Sequence, residues 1–157
     1  MSSDPAAAPS ASPPPIRSAV PADGPVLCDL FAQLGYPTPV EDFIRRLAQV
    51  LADPTQTLLV SGPEGAPLGV AHLQRMTLLE ADGYAQLLAL VVDESQRSRG
   101  LGAQLVAAGE DWARTQGCST LTVRSNVIRT RTHAFYERLG YTRVKSQHTF
   151  KKPLTGL

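Results

Sequence analysis

The sequence predicts an α/β domain, a mixed sheet with helices on both faces. Three observations predict it. Leu87-Leu88-Ala89-Leu90-Val91-Val92 is an unbroken apolar run of six, the length and composition of a strand buried on both faces. Beyond it the period changes. Apolar or small residues fall at 101, 105, 108 and 112, and again at 102, 106, 109 and 113, which is helical spacing. Along the rest of the chain, strand-like and helix-like segments follow the order β-α-α-β-β-β-α-β-α-β.

Bulk properties narrow the class. A chain of 157 residues fits one domain, large enough to bury roughly two thirds of its unfolded surface. Its formal net charge of +1 gives no global drive toward nucleic acid or acidic membranes. No run approaches the roughly 18 apolar residues of a membrane span. The N-terminus lacks the basic-then-apolar order of a signal peptide. A cytoplasmic protein without membrane or nucleic-acid partners is therefore expected. Cys28 and Cys118 are far apart and fit no metal spacing, so they read as reduced core thiols. His72 and His148 have no partner at metal spacing, and no metal is expected.

The elements follow in order. Residues 1–15 are Ala, Pro and Ser with one charge, Asp4. Such a segment cannot offset its ordering entropy and reads as a disordered tail, leaving 16–157 as the single domain. A first strand spans 16–20. Pro21-Ala22-Asp23 opens a helix with Val26, Leu27, Leu30, Phe31 and Leu34 on one side, ending at Gly35. A second helix over 40–52 faces inward with Phe43, Ile44, Leu47, Val50 and Leu51, and Asp53-Pro54 stops it. Strands are expected over 57–61, 68–79 and 84–92, with Asp82-Gly83 as a hairpin turn before the third. A helix runs to residue 116, with Gly117 as its cap and Trp112 on its core face. A strand over 120–124, a short helix over 131–139 ended by Gly140, and a last strand over 141–151 complete the order.

Between the apolar run and its helix lies a basic glycine loop, Arg97-x-x-Gly100-x-Gly102. First-turn N–H groups of a helix lack internal partners and carry the positive end of the macrodipole. With glycines that admit an anion to the backbone, this makes a phosphate cradle. A P-loop would close with Gly-Lys-Ser/Thr, which is absent. A dinucleotide fold would need a third glycine where Leu105 stands, and an acidic residue where the next strand runs into Arg124.

The loop resembles the acyl-CoA pyrophosphate loop of the GNAT N-acetyltransferases, Q/R-x-x-G-x-G/A after a buried strand. A second motif strengthens the likeness. Many GNAT enzymes carry S-N-x-x-R-x-x-A-H-x-F-Y-E-x-L-G-F/Y. Here Ser125, Asn126, Arg129, His133, Phe135, Tyr136, Glu137, Leu139, Gly140 and Tyr141 match it, with Thr132 in place of the usual alanine. The ending Phe150-Lys151-Lys152-Pro153-Leu154 is close to the family's F-x-K-x-L. The likeness covers about residues 16–154. Within the family it is similar to the small-amine branch, such as the aminoalkylphosphonate N-acetyltransferases.

The resemblance implies a GNAT (acyl-CoA N-acyltransferase) fold, with a mostly antiparallel central sheet, and transfer of acetyl from acetyl-CoA to an amine by direct attack in a ternary complex. It places the pantetheine arm along Leu90, Val91 and Val92. The pyrophosphate falls on Arg97, Ser98, Arg99, Gly100, Leu101, Gly102 and Ala103. Asn126 and Arg129 would also touch the cofactor, and Tyr136 would protonate the departing thiolate. Partners would be acetyl-CoA, an amine and a second copy in a homodimer.

Plainer readings stand beside these. Tyr136 also reads as a core tyrosine, Asn126 as a capping residue and His133 as a packed one. Arg124, Arg129 and Arg131 form a solvated face or meet the 3′-phosphate of CoA. One departure bears on mechanism. Some family members place a glutamate base on the strand before the loop, and the matching position here is Gln86, whose carboxamide cannot take a proton from an ammonium. Either a water relay or another carboxylate, Glu80, Asp82 or Glu137, does this work, or the amine arrives neutral. Alternatives are a non-catalytic acyl-CoA-binding module on the same fold, a protein N-terminal or lysine acetyltransferase, and a nucleotide-binding α/β domain.

Overall fold

The computed structural model describes residues 14–124 and 130–156. The chain divides into two compact units, Met1–Val123 and Arg124–Leu157.

The first unit is built on one sheet. Its strands are β1 (Ile16–Ser18), β2 (Gln56–Ser61), β3 (Gly69–Met76), β4 (Tyr84–Val92) and β5 (Leu121–Val123), neighbours in that order. The first four run antiparallel to one another, and β5 joins β4 in parallel. The helices are α1 (Gly24–Gln33), α2 (Val40–Ala52) and α3 (Leu101–Thr115). Residues 21–23 form a 3-10 turn that leads into α1.

Alternation along the strands assigns the two faces. Leu58, Val60, Val70 and Val91 join Leu27 and Leu30 of α1 and Leu47 of α2 in one core cluster, with Phe31, Phe43 and Val50 packed against it. The opposite face belongs to α3. There Gly109 lies so close to Leu73 that an added Cβ would stand 2.8 Å from its Cδ2. Ala85, Ala113 and Cys118 form a second cluster, with Trp112 and Leu121 against it, so the helical-face reading of Trp112 holds. Cys28 and Cys118 are free, buried thiols.

The second unit contains α4 (Thr130–Arg138). Gly140, at φ +93, closes it with a hydrogen bond to the Glu137 carbonyl.

Three expectations are corrected. β3 stops at Met76 rather than 79, and residues 77–83 form a loop instead of a tight Asp82-Gly83 hairpin. Its Thr-Leu-Leu sequence is β-prone, but Leu79 is fully exposed, so no core face holds it in a ladder. The first strand ends at Ser18, because Val20 gives its N–H to Asp23. The last strand expected over 141–151 is absent: residues 141–156 carry no regular structure. Their alternating pattern permits a strand, but pairing makes one, and Val144, Phe150 and Leu154 are exposed. The tail expected over 1–15 lies largely outside the described residues.

Candidate active site

β4 has two unequal neighbours. It pairs with β3 along its whole length, from Tyr84↔Met76 to Val92↔Gly69. It pairs with β5 at Ala85, Gln86 and Leu87, the full described length of β5. Beyond Leu87↔Val123, no described residue pairs with β4 on that side. Leu87 faces Leu73 and Ala89 faces His72, so Leu88 is an extra, bulged residue. A bulge bends its strand and increases the local twist. It stands one residue past the last described pair with β5. The expected pantetheine residues Leu90, Val91 and Val92 follow the bulge, with no described residue paired to them on the β5 side; a strand edge of this kind can pair with an extended amide chain as a further strand would.

The edge leads directly into the basic loop. Asp93 caps a 3-10 turn over 94–96: its carboxylate accepts from the Ser95 N–H at 3.1 Å and from the Ser95 hydroxyl. Gln33, at the end of α1, grips the same corner. Its amide donates to Asp93 Oδ1 at 2.9 Å and accepts from the Glu94 N–H at 3.2 Å. The Gln33 hydrogen bond, then those of Ser95, hold the Asp93 carboxyl below the usual carboxylate range, and Arg97 adds charge.

Arg97, Ser98, Arg99 and Gly100 are exposed. Ser98 (φ 71) and Gly100 (φ 78) are both left-handed, and they turn the chain abruptly into α3. Gly100 is the N-cap and has no side chain with which to cap. The first-turn N–H groups of Leu101, Gly102 and Ala103 therefore remain for an outside acceptor. The β4–α3 connection brings together ten of the expected cofactor residues, from Leu90 to Ala103. Asn126 and Arg129 lie outside the described residues.

In the second unit Tyr136 is half-buried on α4. Its ring meets those of Phe135 and Tyr141 edge-on, at centroid distances of 5.1 and 5.7 Å. Burial pushes its phenol up to about 12, so it is protonated at neutral pH. Glu137 is exposed, 3.6 Å from Arg143.

The sequence alone gave no sign of one further feature, a polar row. Gln56, Gln74, Gln86 and Thr122 are cross-strand partners on β2, β3, β4 and β5. Only the register reveals them, since no two lie within one local pattern. Gln86 is buried. Glu80 and Asp82, the other carboxylates considered for the base, are exposed in the 77–83 loop.

A family profile described as the acetyltransferase (GNAT) family matches residues 26–141. The chain belongs to the GNAT acetyltransferase family. As a GNAT enzyme it N-acetylates an amine with acetyl-CoA as donor. Its GNAT fold is also that of a GNAT family acetyltransferase from Staphylococcus aureus, 27% identical, with a TM-score of 0.71 over 89% of this chain and 98% of that one. The chain is similar to aminoglycoside N(6')-acetyltransferases type 1. One, from Klebsiella aerogenes, is 31% identical over 69% of this chain and 73% of its own length. Another, from Stenotrophomonas maltophilia, is 29% identical over 92% and 96%. Among the described residues no helix is long and apolar enough to cross a membrane.

Proposed function

We propose that this GNAT enzyme acetylates a primary amine of a small, hydroxyl-rich molecule, an amino sugar or aminoglycoside, by direct attack within a ternary complex. The observation that carries the ternary reading is the bulge at Leu88, one residue past the last described pair between β4 and β5. An acyl chain paired along residues 90–92 would present its carbonyl at the bulge, beside the polar row. Amide side chains there match a hydroxylated acceptor. The likeness to aminoglycoside N(6')-acetyltransferases over most of the chain supports the substrate class.

In this reading Arg97, Arg99 and the N–H groups of residues 98–103 hold the pyrophosphate. Asn126 and Arg129 add cofactor contacts, and Tyr136 protonates the thiolate. The main contributions to rate are positioning and polarisation of the thioester carbonyl. The enzyme works in the cytoplasm, where acetyl-CoA is supplied.

A panel of amines with acetyl-CoA, followed by thiol release, tests the proposal. It should contain aminoglycosides, aminoalkylphosphonates, peptides with free N-termini and lysine peptides. Aminoglycosides or other amino sugars should give the highest kcat/KM. Faster turnover of a peptide would move the acceptor to proteins. CoA binding without turnover of any amine would favour the non-catalytic module.

A further inference from the structure

We infer that His72 is the proton acceptor for the incoming amine, serving where Gln86 occupies the position of a strand carboxylate. The inference rests on the acetyl-transfer reading above.

His72 precedes Gln74 by two residues on β3, so the two side chains share a face. It is the face of Leu58, Val60 and Val70, the one α1 and α2 cover. The polar row crosses it at the Gln86↔Thr122 pair, two residues before the bulge at Leu88. Among the described residues of β2 to β5, this face presents one imidazole and no carboxylate. Gln56, Gln74 and Gln86 have no basic lone pair at neutral pH, and Thr122 has none either.

The imidazole is also oriented. Its Nε2 lies 2.6 Å from Oε1 of Gln56. A carbonyl oxygen only accepts, so Nε2 carries the hydrogen and donates. The lone pair is then on Nδ1. Burial lowers the basicity of the ring, which keeps it neutral and able to accept at pH 7. The titratable side chains around it are few. β2 has none. β4 has only Tyr84, on the same face as Gln86. α1 contributes Cys28 and Asp29, and α2 contributes Glu41, Asp42, Arg45 and Arg46. Asp42 and Arg45 pair with each other at 3.0 Å.

Gln86 is only 6% exposed, and no described residue hydrogen-bonds its amide. A water held between that amide and the ring would carry the proton from β4 across to β3. The ammonium gives its first proton, by way of this water, to Nδ1. The freed lone pair attacks the thioester carbonyl. The C–N bond forms, the C–S bond breaks, the nitrogen loses its second proton and the thiolate gains one. CoA leaves as the thiol, and His72 returns its proton to solvent.

The test uses the full chain, the best amine of the panel and kcat between pH 5 and 9. Wild type should show an acid limb below the ordinary imidazole value. In His72→Gln the new amide still donates to Gln56. Turnover at pH 7 should fall about 10²-fold, the limb should vanish, and the rate should recover toward pH 9, where the amine is free. Gln56→Glu keeps the histidine and gives it an anionic partner. The limb should move up by about one pH unit, and this variant alone decides if His72→Gln does not fold. Acetyl-CoA should raise the melting temperature of both variants as it does that of wild type. A His72→Gln enzyme within about threefold of wild type with the limb unchanged overturns the assignment. So does a Gln56→Glu enzyme whose limb stays in place. Failure of wild type to turn over any amine overturns the acetyl-transfer reading itself, and this inference with it.

Discussion

Arg17 holds Asp23 through two parallel hydrogen bonds, Nη1 to Oδ2 and Nη2 to Oδ1, each 2.8 Å. The Asp23 carboxylate also accepts from the backbone N–H groups of Val20 and Gly65, each at 2.9 Å. One fully buried anion thus ties β1, the start of α1 and the β2–β3 turn. The Arg17 hydrogen bonds are the largest cause of a carboxyl lowered from 3.8 to about 2. A depressed folded-state value contributes stability that is present above the unfolded value and lost as pH falls through the folded one. Unfolding free energy should therefore drop between about pH 4 and pH 2, by roughly 2 kcal/mol from this group. Asp23→Asn should remove that part of the acid slope and lower stability at pH 7 by at least as much. Urea melts across this pH range measure both.

Acetyl-CoA at 100 times its dissociation constant should stabilise the fold by about 2.7 kcal/mol, several degrees in Tm at this size. NAD should not. Gly102→Glu places a carboxylate in the first turn of α3, where sterics and like charge oppose a pyrophosphate. It should abolish the acetyl-CoA shift while leaving the unliganded Tm within about two degrees of wild type. Thermal melts with each ligand check both statements. A Gly102→Glu protein that keeps the full shift would put the phosphate site elsewhere.

Tyr136→Phe keeps the ring and removes the hydroxyl. Turnover should fall by roughly 10²–10⁴, the usual worth of a positioned acid, with CoA affinity unchanged. The low end is expected, because a CoA thiolate is a fair leaving group and water can partly replace the phenol. Steady-state kinetics on the best amine, with CoA affinity measured separately, distinguish an acid from a packed ring.

Gly109 is required by the approach of α3 to the sheet. Gly109→Val would drive its side chain into Leu73 and should cost about 1–3 kcal/mol by overpacking. Leu73→Ala alone leaves a cavity, and the double variant should be less destabilised than the sum of the two. A double-mutant cycle from urea melts reads the coupling. Strict additivity would mean that the helix shifts instead.

The sequence by itself determined the elements whose stability is local or whose burial is nearly complete. The apolar run coincides with β4, which ends at Val92 as expected. The 3.6 period of α3 and its glycine-capped ends are equally legible, because helix hydrogen bonds and caps lie within a few residues of one another. The basic loop between them was readable for the same reason: strand end, glycines and helix start are contiguous.

Tertiary structure decided what depends on pairing. The alternation at 141–151 resembles that of a paired strand, but a strand needs a partner that no local pattern names. The bulge at Leu88 and the parallel pairing of Gln86 with Thr122 are properties of register. The same holds for the row from Gln56 to Thr122 and for His72 beside it. Asp23 reads in sequence as a helix-start residue. Only the folded chain buries it against Arg17, because desolvation and long-range hydrogen bonds exist only once distant segments meet.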